Sequence, residues 1–300
     1  MPTTPTLGNW IALYALGLIW GASFLGVAFA LEGFGPISIA AARIALGAVT
    51  LGAVALIARI PLPRDPVIWA FTAGMAVLSN ALPFYLLSWS QQHVTSGFAG
   101  ITMAAIPLFV IGLAHIFVPG ERLTKPKAMG FTAGLVGVAV LIGPGVLNSS
   151  GSALENLARV GCLCASLSYA LGAIITRRCP DVHPVAFGVL ALGIASLVMV
   201  PLALALEGVP DSASPQAIGA LVYLGFFPTG LATLLLVGII RSAGPSFLSQ
   251  VNYHVPVWSV ILGVVVLSED LPGRFILALA IIIGGLVYSR RKPVQPAVAP

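Results

Sequence analysis

Apolar residues dominate ten stretches of the chain, and short segments rich in Pro, Gly and charged residues separate these stretches. A helix rises about 1.5 Å per residue and the hydrocarbon core of a bilayer is about 30 Å thick, so each stretch is long enough to cross it. The pattern therefore predicts ten transmembrane helices, numbered here as spans 1 to 10. They are expected at roughly 9–30, 36–58, 66–89, 94–117, 126–143, 157–177, 183–206, 215–238, 245–267 and 272–289.

The composition points to lipid as the solvent of this chain. Of the 300 residues 58% are hydrophobic and 8% are charged, whereas an ordinary soluble domain is about 25% charged. A soluble fold of this chain would have too few polar residues to cover its surface, but a chain in a bilayer needs polar residues only in its loops. The predicted fold class is therefore an all-α integral membrane protein.

The distribution of cations predicts the orientation of the chain in the membrane. The formal net charge is +5, but ten spans place eleven of the fourteen Lys and Arg residues on one side. Cytoplasmic loops are enriched in Lys and Arg, so both termini are predicted to be cytoplasmic, and residues 291–300 are predicted to form a cytoplasmic tail. No nucleic acid is expected as a partner. The eleven cations are Arg59, Arg64, Arg122, Lys125, Lys127, Arg177, Arg178, Arg241, Arg290, Arg291 and Lys292.

The two halves of the chain resemble each other. Pro107 matches Pro256 at an offset of 149 residues, and Glu121 matches Glu269 at an offset of 148. Because each half holds five spans, an odd number, the second copy must be inverted in the membrane. Residues 7–145 and 155–290 are therefore predicted to be two inverted repeats, an arrangement that places a substrate site near the midplane where the repeats meet.

Several motifs resemble those of a known family. They are LGLIWGASFLGVAFAL at 16–31, AAARIALGA with Arg43 at 40–48, SQQHVTSGFAGI at 90–101, and the prolines and glutamates paired between the halves. They resemble the drug/metabolite transporter superfamily in its ten-helix form of two EamA repeats, most of all the YddG-type exporters of aromatic amino acids. The resemblance covers essentially the whole chain and implies a multi-pass transporter of the bacterial inner membrane. Span 7 has no counterpart of Arg43, so a role for this arginine in both repeats is ruled out.

Span 9 has the most polar face in the predicted membrane interior. Gln250, His254 and Trp258 are four residues apart and share one face of the helix, and Tyr253 flanks them. Exposing this face to lipid would cost several kcal/mol, so it must point to a cavity or to the other repeat. Two interpretations stay open here: an interhelical hydrogen-bond network and a substrate-binding surface. A proton-carrying role for His254 also stays open.

Residues of similar character lie at comparable depth in spans 1, 3, 4 and 6. Together with span 9 they predict a substrate-binding ring of aromatic, hydroxyl and amide groups. At the outer end of span 3, Trp89, Gln92 and His93 are interpreted as interfacial anchors instead. The predicted ring consists of Trp20, Ser23, Asn80, Phe84, Tyr85, Thr102, Met103, Ser166, Tyr169, Gln250, Tyr253, His254 and Trp258.

The predicted ring is uncharged, which favours a zwitterion such as an amino acid, or an amphipathic drug, over a fixed anion or cation. Arg43, in span 2, is the exception. Either its side chain extends to the outer head groups, or it binds a carboxylate or a structural partner within the bundle.

The chain lacks the common motifs for chemistry on a substrate. It has no GxxxxGK(S/T) loop for ATP hydrolysis, no HExxH zinc motif and no Asp within a span. Cys162, Cys164 and Cys179 have no second cluster that would complete a zinc or disulfide site. We therefore expect no enzymatic activity, no metal and no cofactor, with membrane lipid and a small molecule as partners.

Spans 5 and 10 carry small residues four positions apart, Gly130 with Gly134 and Ala280 with Gly284. Such faces let helices approach closely, so these spans are predicted to be packing or dimerisation elements outside the transport path. The chain is accordingly expected to be a monomer, or a homodimer through these spans. Glu121 and Glu269, at span ends, are interpreted as helix caps or loop anchors.

Four prolines are predicted hinges. They interrupt spans 3, 4, 8 and 9 near the bilayer centre, and each frees backbone carbonyl groups. Altogether the sequence favours a secondary transporter that exports amino acids or related metabolites by alternating access. Exporters of drugs or lipid precursors with the same fold, and a passive channel, are the alternatives. The prolines are Pro83, Pro107, Pro228 and Pro256.

Overall fold

The computed structural model describes residues 5–118, 121, 123–143, 153–210 and 212–289. Over these ranges the regular structure is helical, with ten apolar helices joined by short connections. They are α1 (Leu7–Ala30), α2 (Pro36–Ile57), α3 (Pro66–Ser90), α4 (Ser96–Phe117), α5 (Lys125–Ile142), α6 (Ala153–Arg178), α7 (Pro184–Leu206), α8 (Pro215–Ala243), α9 (Val251–Leu267) and α10 (Gly273–Ser289). The first eight are long and apolar enough to cross a membrane, and α9 and α10 are shorter apolar helices of 17 residues each. The predicted ten-helix, all-α membrane fold is confirmed.

Some predicted features lie outside the described residues: the linker at 144–152, the tail at 291–300, and Arg122, Arg290, Arg291 and Lys292. The other cations assigned to the cytoplasmic side lie where α2, α6 and α8 end and α3 and α5 begin. We call this the basic end of the bundle; its cytoplasmic location stays a prediction. Its described cations are Arg59, Arg64, Lys125, Lys127, Arg177, Arg178 and Arg241.

The boundary between α8 and α9 differs from the sequence-based expectation. α8 continues to Ala243 and ends there because Gly244 adopts φ = +85°, a left-handed conformation that favours glycine. Pro245–Leu248 then forms a separate turn, and α9 begins only at Val251. The predicted start of span 9 at 245 is therefore wrong, and Gln250 precedes the helix instead of lying within it.

Glycines bring helices of the first half close to helices of the second. A β-carbon added at Gly17 of α1 would lie 2.7 Å from the β-carbon of His254 in α9, and one added at Gly21 would lie 2.5 Å from that of Trp258. α2 packs in turn against α7 and α8. Part of the core therefore forms where α1 and α2 meet helices of the second half.

Three helices lose regular α geometry near their middle. α3 and α8 each contain a π-helical segment, Ala76–Ala81 and Gly225–Leu231, and α4 contains a 3-10 segment, Met103–Ala105. π-Segments are rare and occur often at functional sites. Three predicted hinge residues lie within these segments or within two residues after them, and the fourth lies inside α9: Pro83, Pro107, Pro228 and Pro256.

α5 and α10 pack against each other through small residues. A β-carbon added at Gly285 would lie 2.7 Å from the carbonyl oxygen of Gly130, and one at Gly137 would lie 2.6 Å from Ile282 Cγ1. On α10 the contact runs through Gly285, whereas Ala280 and Gly284 are exposed. The close-packing face of α5 is thus occupied within one chain, and a homodimer through these helices would use their outward faces. The oligomeric state stays a prediction.

Candidate substrate site

Arg43 of α2 lies inside the bundle and not at the head groups. It is 8% exposed, and its Nε donates a hydrogen bond to Thr229 Oγ1 of α8 at 3.0 Å. Its guanidinium carbon lies 3.8 Å from the centroid of the Phe84 ring of α3, which is within the range of a cation–π contact. Of the alternatives open from the sequence, the structure shows the one in which the side chain has partners within the bundle.

Two tyrosines complete the surroundings of Arg43. Tyr169 of α6 and Tyr223 of α8 both lie near the guanidinium group. The Tyr169 ring lies 6.5 Å from the Phe84 ring, and the Tyr223 hydroxyl donates a hydrogen bond to the Ile19 carbonyl of α1 at 3.0 Å. Side chains from both halves therefore meet at this place, which we call the Arg43 cluster: Arg43, Phe84, Tyr169, Tyr223 and Thr229.

The π-segment of α8 positions Thr229 and Trp20. Pro228 has no N–H with which to pair the Leu224 carbonyl, and the Thr229 hydroxyl donates to that carbonyl at 2.9 Å. The same hydroxyl oxygen accepts the hydrogen bond from Arg43. The Trp20 indole N–H of α1 donates to the Pro228 carbonyl at 3.1 Å. The irregular backbone thus brings Trp20 beside the Arg43 cluster.

The π-segment of α3 holds Asn80 in a related way. Asn80 Nδ2 donates to the Met75 carbonyl, five residues earlier, at 3.1 Å, just as Thr229 bonds to the carbonyl five residues before it. The Asn80 side chain therefore bonds to the backbone at the start of the π-segment of its own helix. Tyr85, in the same helix, packs with Tyr169 against one apolar cluster.

Hydroxyl groups join α4 to α6. The Ser166 hydroxyl donates to the Thr102 carbonyl at 2.9 Å, and the Thr102 hydroxyl donates to the Ala99 carbonyl at 2.6 Å. Thr102 and Ser166 are fully buried, and Met103 is nearly so. Hydrogen bonds of this kind satisfy buried polar groups and hold the two helices together.

The polar face of α9 packs against α1. Nδ1 of His254 lies 3.0 Å from the Gln250 carbonyl oxygen, and its ring contacts the Tyr14 ring edge-on with centroids 4.7 Å apart. Trp258 lies against Gly21 of α1. This face therefore points to the other half of the molecule, which was one of the two expected positions.

The predicted ring residues fall into separate groups. Trp20, Phe84, Tyr85 and Tyr169 lie at or beside the Arg43 cluster. His254 and Trp258 lie between α9 and α1, Gln250 directly precedes α9 and bonds to His254 through its carbonyl, and Tyr253 is half-buried in α9. Thr102, Met103 and Ser166 lie between α4 and α6. Asn80 and Ser23 form hydrogen bonds within their own helices; the Ser23 hydroxyl donates to the Trp20 carbonyl at 2.6 Å. Their role in substrate binding stays a prediction.

Sequence reasoning missed Thr229 and Tyr223. A signal for Thr229 was present: it follows Asn80 at an offset of 149 residues, the offset that relates Pro107 to Pro256. For Tyr223 the sequence gave no comparable signal, because an aromatic residue in a span is more often directed to lipid or core than to a site.

Two carboxylates cap helix N-termini across the halves, at the end opposite the basic end. Glu207, after α7, accepts hydrogen bonds from two N–H groups of the first turn of α2 at 2.9 and 2.8 Å. Glu269, after α9, accepts from two N–H groups of the first turn of α4 at 2.7 and 2.9 Å. A helix N-terminus attracts a carboxylate through its unpaired N–H groups and its dipole. The prediction that Glu269 is a helix cap is confirmed, and we call this the acid-capped end. The donors are Ile37, Ser38, Ser96 and Gly97.

The basic end contains a pocket of about 180 Å³. Glu121 accepts hydrogen bonds there from Lys127 Nζ at 2.9 Å and Arg177 Nη2 at 2.7 Å, which hold the pKa of its carboxyl below the usual value. Glu121 thus anchors the connection between α4 and α5, as expected. The side chains of Glu121, Lys127 and Arg177 are partly exposed, so these ion pairs contribute little to the stability of the fold. The pocket is lined by Val110, Ile111, Ala114, His115, Glu121, Lys127 and Arg177.

The sequence profile of the EamA-like transporter family matches residues 8–143 and, a second time, residues 157–291. The match covers most of the chain, and the chain therefore belongs to this family of transporters.

Individual relatives agree with this assignment. The chain is 27% identical over 297 residues to the uncharacterized inner membrane transporter YedA of Escherichia coli K12, covering 96% of this chain and 94% of the relative. A probable terminal-alkyne amino-acid exporter of Streptantibioticus cattleyicolor is 26% identical over 132 residues, 43% of each chain. A crystal structure matches with a TM-score of 0.67 and 22% identity, covering 95% of this chain and 99% of that chain, and it supports the fold alone. The protein is a multi-pass transporter of the bacterial inner membrane; the YddG-type resemblance stays a prediction.

Proposed function

We propose that this transporter exports neutral amino acids, aromatic ones among them, or related small metabolites by alternating access. The observation that carries the proposal is the Arg43 cluster. There the side chains of the two halves meet inside the bundle and bring together aromatic rings, hydroxyl groups and one cation. This combination suits a small zwitterion with an apolar side chain. The relative named as a probable amino-acid exporter supports the same class of substrate.

The two inverted repeats, residues 7–145 and 155–290, belong to this proposal as the moving parts. Hydrogen bonds join the halves at the acid-capped end, whereas the basic end holds a pocket between α4, α5 and α6. If the basic end is cytoplasmic, as the cation distribution predicts, this conformation receives substrate from the cytoplasm. An exporter needs such a state before it opens to the other side.

Counterflow in proteoliposomes tests the proposal. Vesicles with purified protein are loaded with an excess of unlabelled phenylalanine or leucine, and uptake of the labelled amino acid is followed with protein-free vesicles as the control. We expect saturable uptake that the trapped substrate accelerates. Uptake that neither saturates nor responds to trapped substrate would indicate a channel, and no flux of any amino acid would shift the substrate class to drugs or lipid precursors.

The predicted hinges are tested in the same vesicles. We expect Pro107→Ala and Pro256→Ala to slow counterflow, because alanine supplies the N–H that proline lacks and stiffens the helix. Pro61→Ala, in the exposed connection between α2 and α3, is the control and should transport at the unmodified rate. If both hinge variants also transport at that rate, the hinge prediction is wrong.

A further inference from the structure

Arg43 is a cation that the described protein leaves without a counter-charge. It is 8% exposed and lies within an apolar helix, and its hydrogen bond to Thr229 has a neutral acceptor. Burying an ionised group away from water carries a large penalty unless an opposite charge or several hydrogen bonds compensate for it. Ionisable residues retained inside membrane helices are commonly functional for this reason.

The carboxylates of the described residues are engaged elsewhere or lie near the ends of helices. Glu207 and Glu269 bind helix N–H groups, Glu121 binds Lys127 and Arg177, and Glu155 pairs with Arg159. The ion pairs found among the described residues do not include Arg43. The described acids are Glu32, Asp65, Glu121, Glu155, Asp181, Glu207, Glu269 and Asp270, and Asp211 lies outside the described residues.

The geometry of Arg43 leaves its terminal nitrogens available. Nε is the atom that bonds to Thr229, and the face of the guanidinium group rests on the Phe84 ring. These two contacts fix the plane of the group, and the hydrogen bonds found among the described residues do not use its Nη1 or Nη2. A guanidinium edge of this kind matches the two oxygens of a carboxylate, and a fixed plane reduces the entropy lost on binding.

We propose that Arg43 binds the carboxylate of the transported molecule, with the hydroxyl groups of Tyr169 and Tyr223 beside it. This inference rests on the proposed function and specifies its substrate class: molecules with a free carboxylate and an apolar or aromatic body. Amines and amides of the same body bind more weakly. Arg43 and Phe84 belong to the first half and Tyr169, Tyr223 and Thr229 to the second, so a bound carboxylate lies at the junction of the halves.

Ligand-dependent thermal unfolding of the purified, detergent-solubilised protein measures this preference without transport. The three probes each carry a phenyl ring: L-phenylalanine, L-phenylalanine amide and 3-phenylpropionate. We expect the two carboxylates to raise the Tm and the amide to be at least about 30-fold weaker, since hydrogen bonds to charged groups contribute about 2 kcal/mol.

The variants separate recognition from a structural role. In Arg43→Gln the acid and the amide should bind equally weakly, while the Tm of the empty protein is unchanged or higher because an uncompensated buried charge has gone. Arg43→Lys should restore part of the preference. The matched control is Arg159→Gln, because Arg159 is also buried but is already bonded to Glu155 and the Ile142 carbonyl; this variant should retain the preference.

Three results would overturn the inference: no binding of either carboxylate, equal binding of acid and amide by the unmodified protein, or a preference that survives in Arg43→Gln. The failure of the proposed function looks different. In that case carboxylates still bind with the expected dependence on Arg43, but proteoliposomes show no counterflow of any amino acid.

Discussion

Gly285→Leu is expected to lower the Tm of the protein by at least about 5 °C, whereas Gly284→Leu, one residue away, should change it by about 1 °C or less. A β-carbon at Gly285 would lie 2.7 Å from the Gly130 carbonyl oxygen, which is backbone and cannot move aside. At Gly284 no atom lies within 4 Å of the added carbon. Both substitutions gain the same helix propensity, so their difference isolates the packing of α10 on α5.

The measurement is thermal unfolding of the two variants in detergent, with size-exclusion chromatography of each. Equal Tm values would show that α5 and α10 do not pack as closely as described. A change in apparent size in Gly284→Leu alone would instead show that the outward face of α10 joins two copies of the chain.

Glu269→Gln is expected to loosen the start of α4 by about 2 kcal/mol. The neutral amide loses the attraction of the helix dipole, and its single oxygen cannot replace both carboxylate oxygens that now accept from Ser96 and Gly97. Amide hydrogen exchange in the first turn of α4 should therefore accelerate about 30-fold, while exchange in the middle of α1 stays unchanged.

Exchange is read by mass spectrometry on peptides that cover residues 94–102, and Asp270→Asn provides the control. Asp270 is adjacent in sequence and exposed, so removing its charge should leave these peptides unaffected. If the two variants exchange alike, the carboxylate of Glu269 does not hold the start of α4.

Hydropathy and proline positions were sufficient to predict the helices. A helix in lipid must be long and apolar, and Pro36, Pro66, Pro184 and Pro215 mark helix starts because their missing N–H is not needed in a first turn. The same rules misplaced the boundary between α8 and α9, where α8 continues through Arg241 to the left-handed Gly244 and α9 begins only at Val251. Apolar composition alone does not show where the backbone turns.

The candidate site was less predictable because its geometry depends on pairing between distant helices. The sequence identified Tyr169 and Phe84 by residue type and depth, and it left two positions open for Arg43. What settles the position of Arg43 is Thr229, whose hydroxyl is placed by a π-segment that has no simple hydropathy signal. Likewise, the sequence showed the polar face of α9, but the helix that it packs against is known only from its contacts with Tyr14 and the glycines of α1.

The two ends of the bundle differ in the hydrogen bonds that must break when each end opens. At the acid-capped end, opening separates half-buried carboxylates from helix N–H groups, whereas contacts at the basic end, such as Ser242 with Asn9 and Arg241 with His183, are exposed. If the protein works by alternating access, we expect the empty carrier to rest mainly open at the basic end. Apparent affinity is reduced by the fraction of protein that is not in the binding-competent state, so we expect half-saturation at a lower substrate concentration on the basic face. Without an energy source this asymmetry changes rates on the two faces and leaves the final distribution of substrate unaltered.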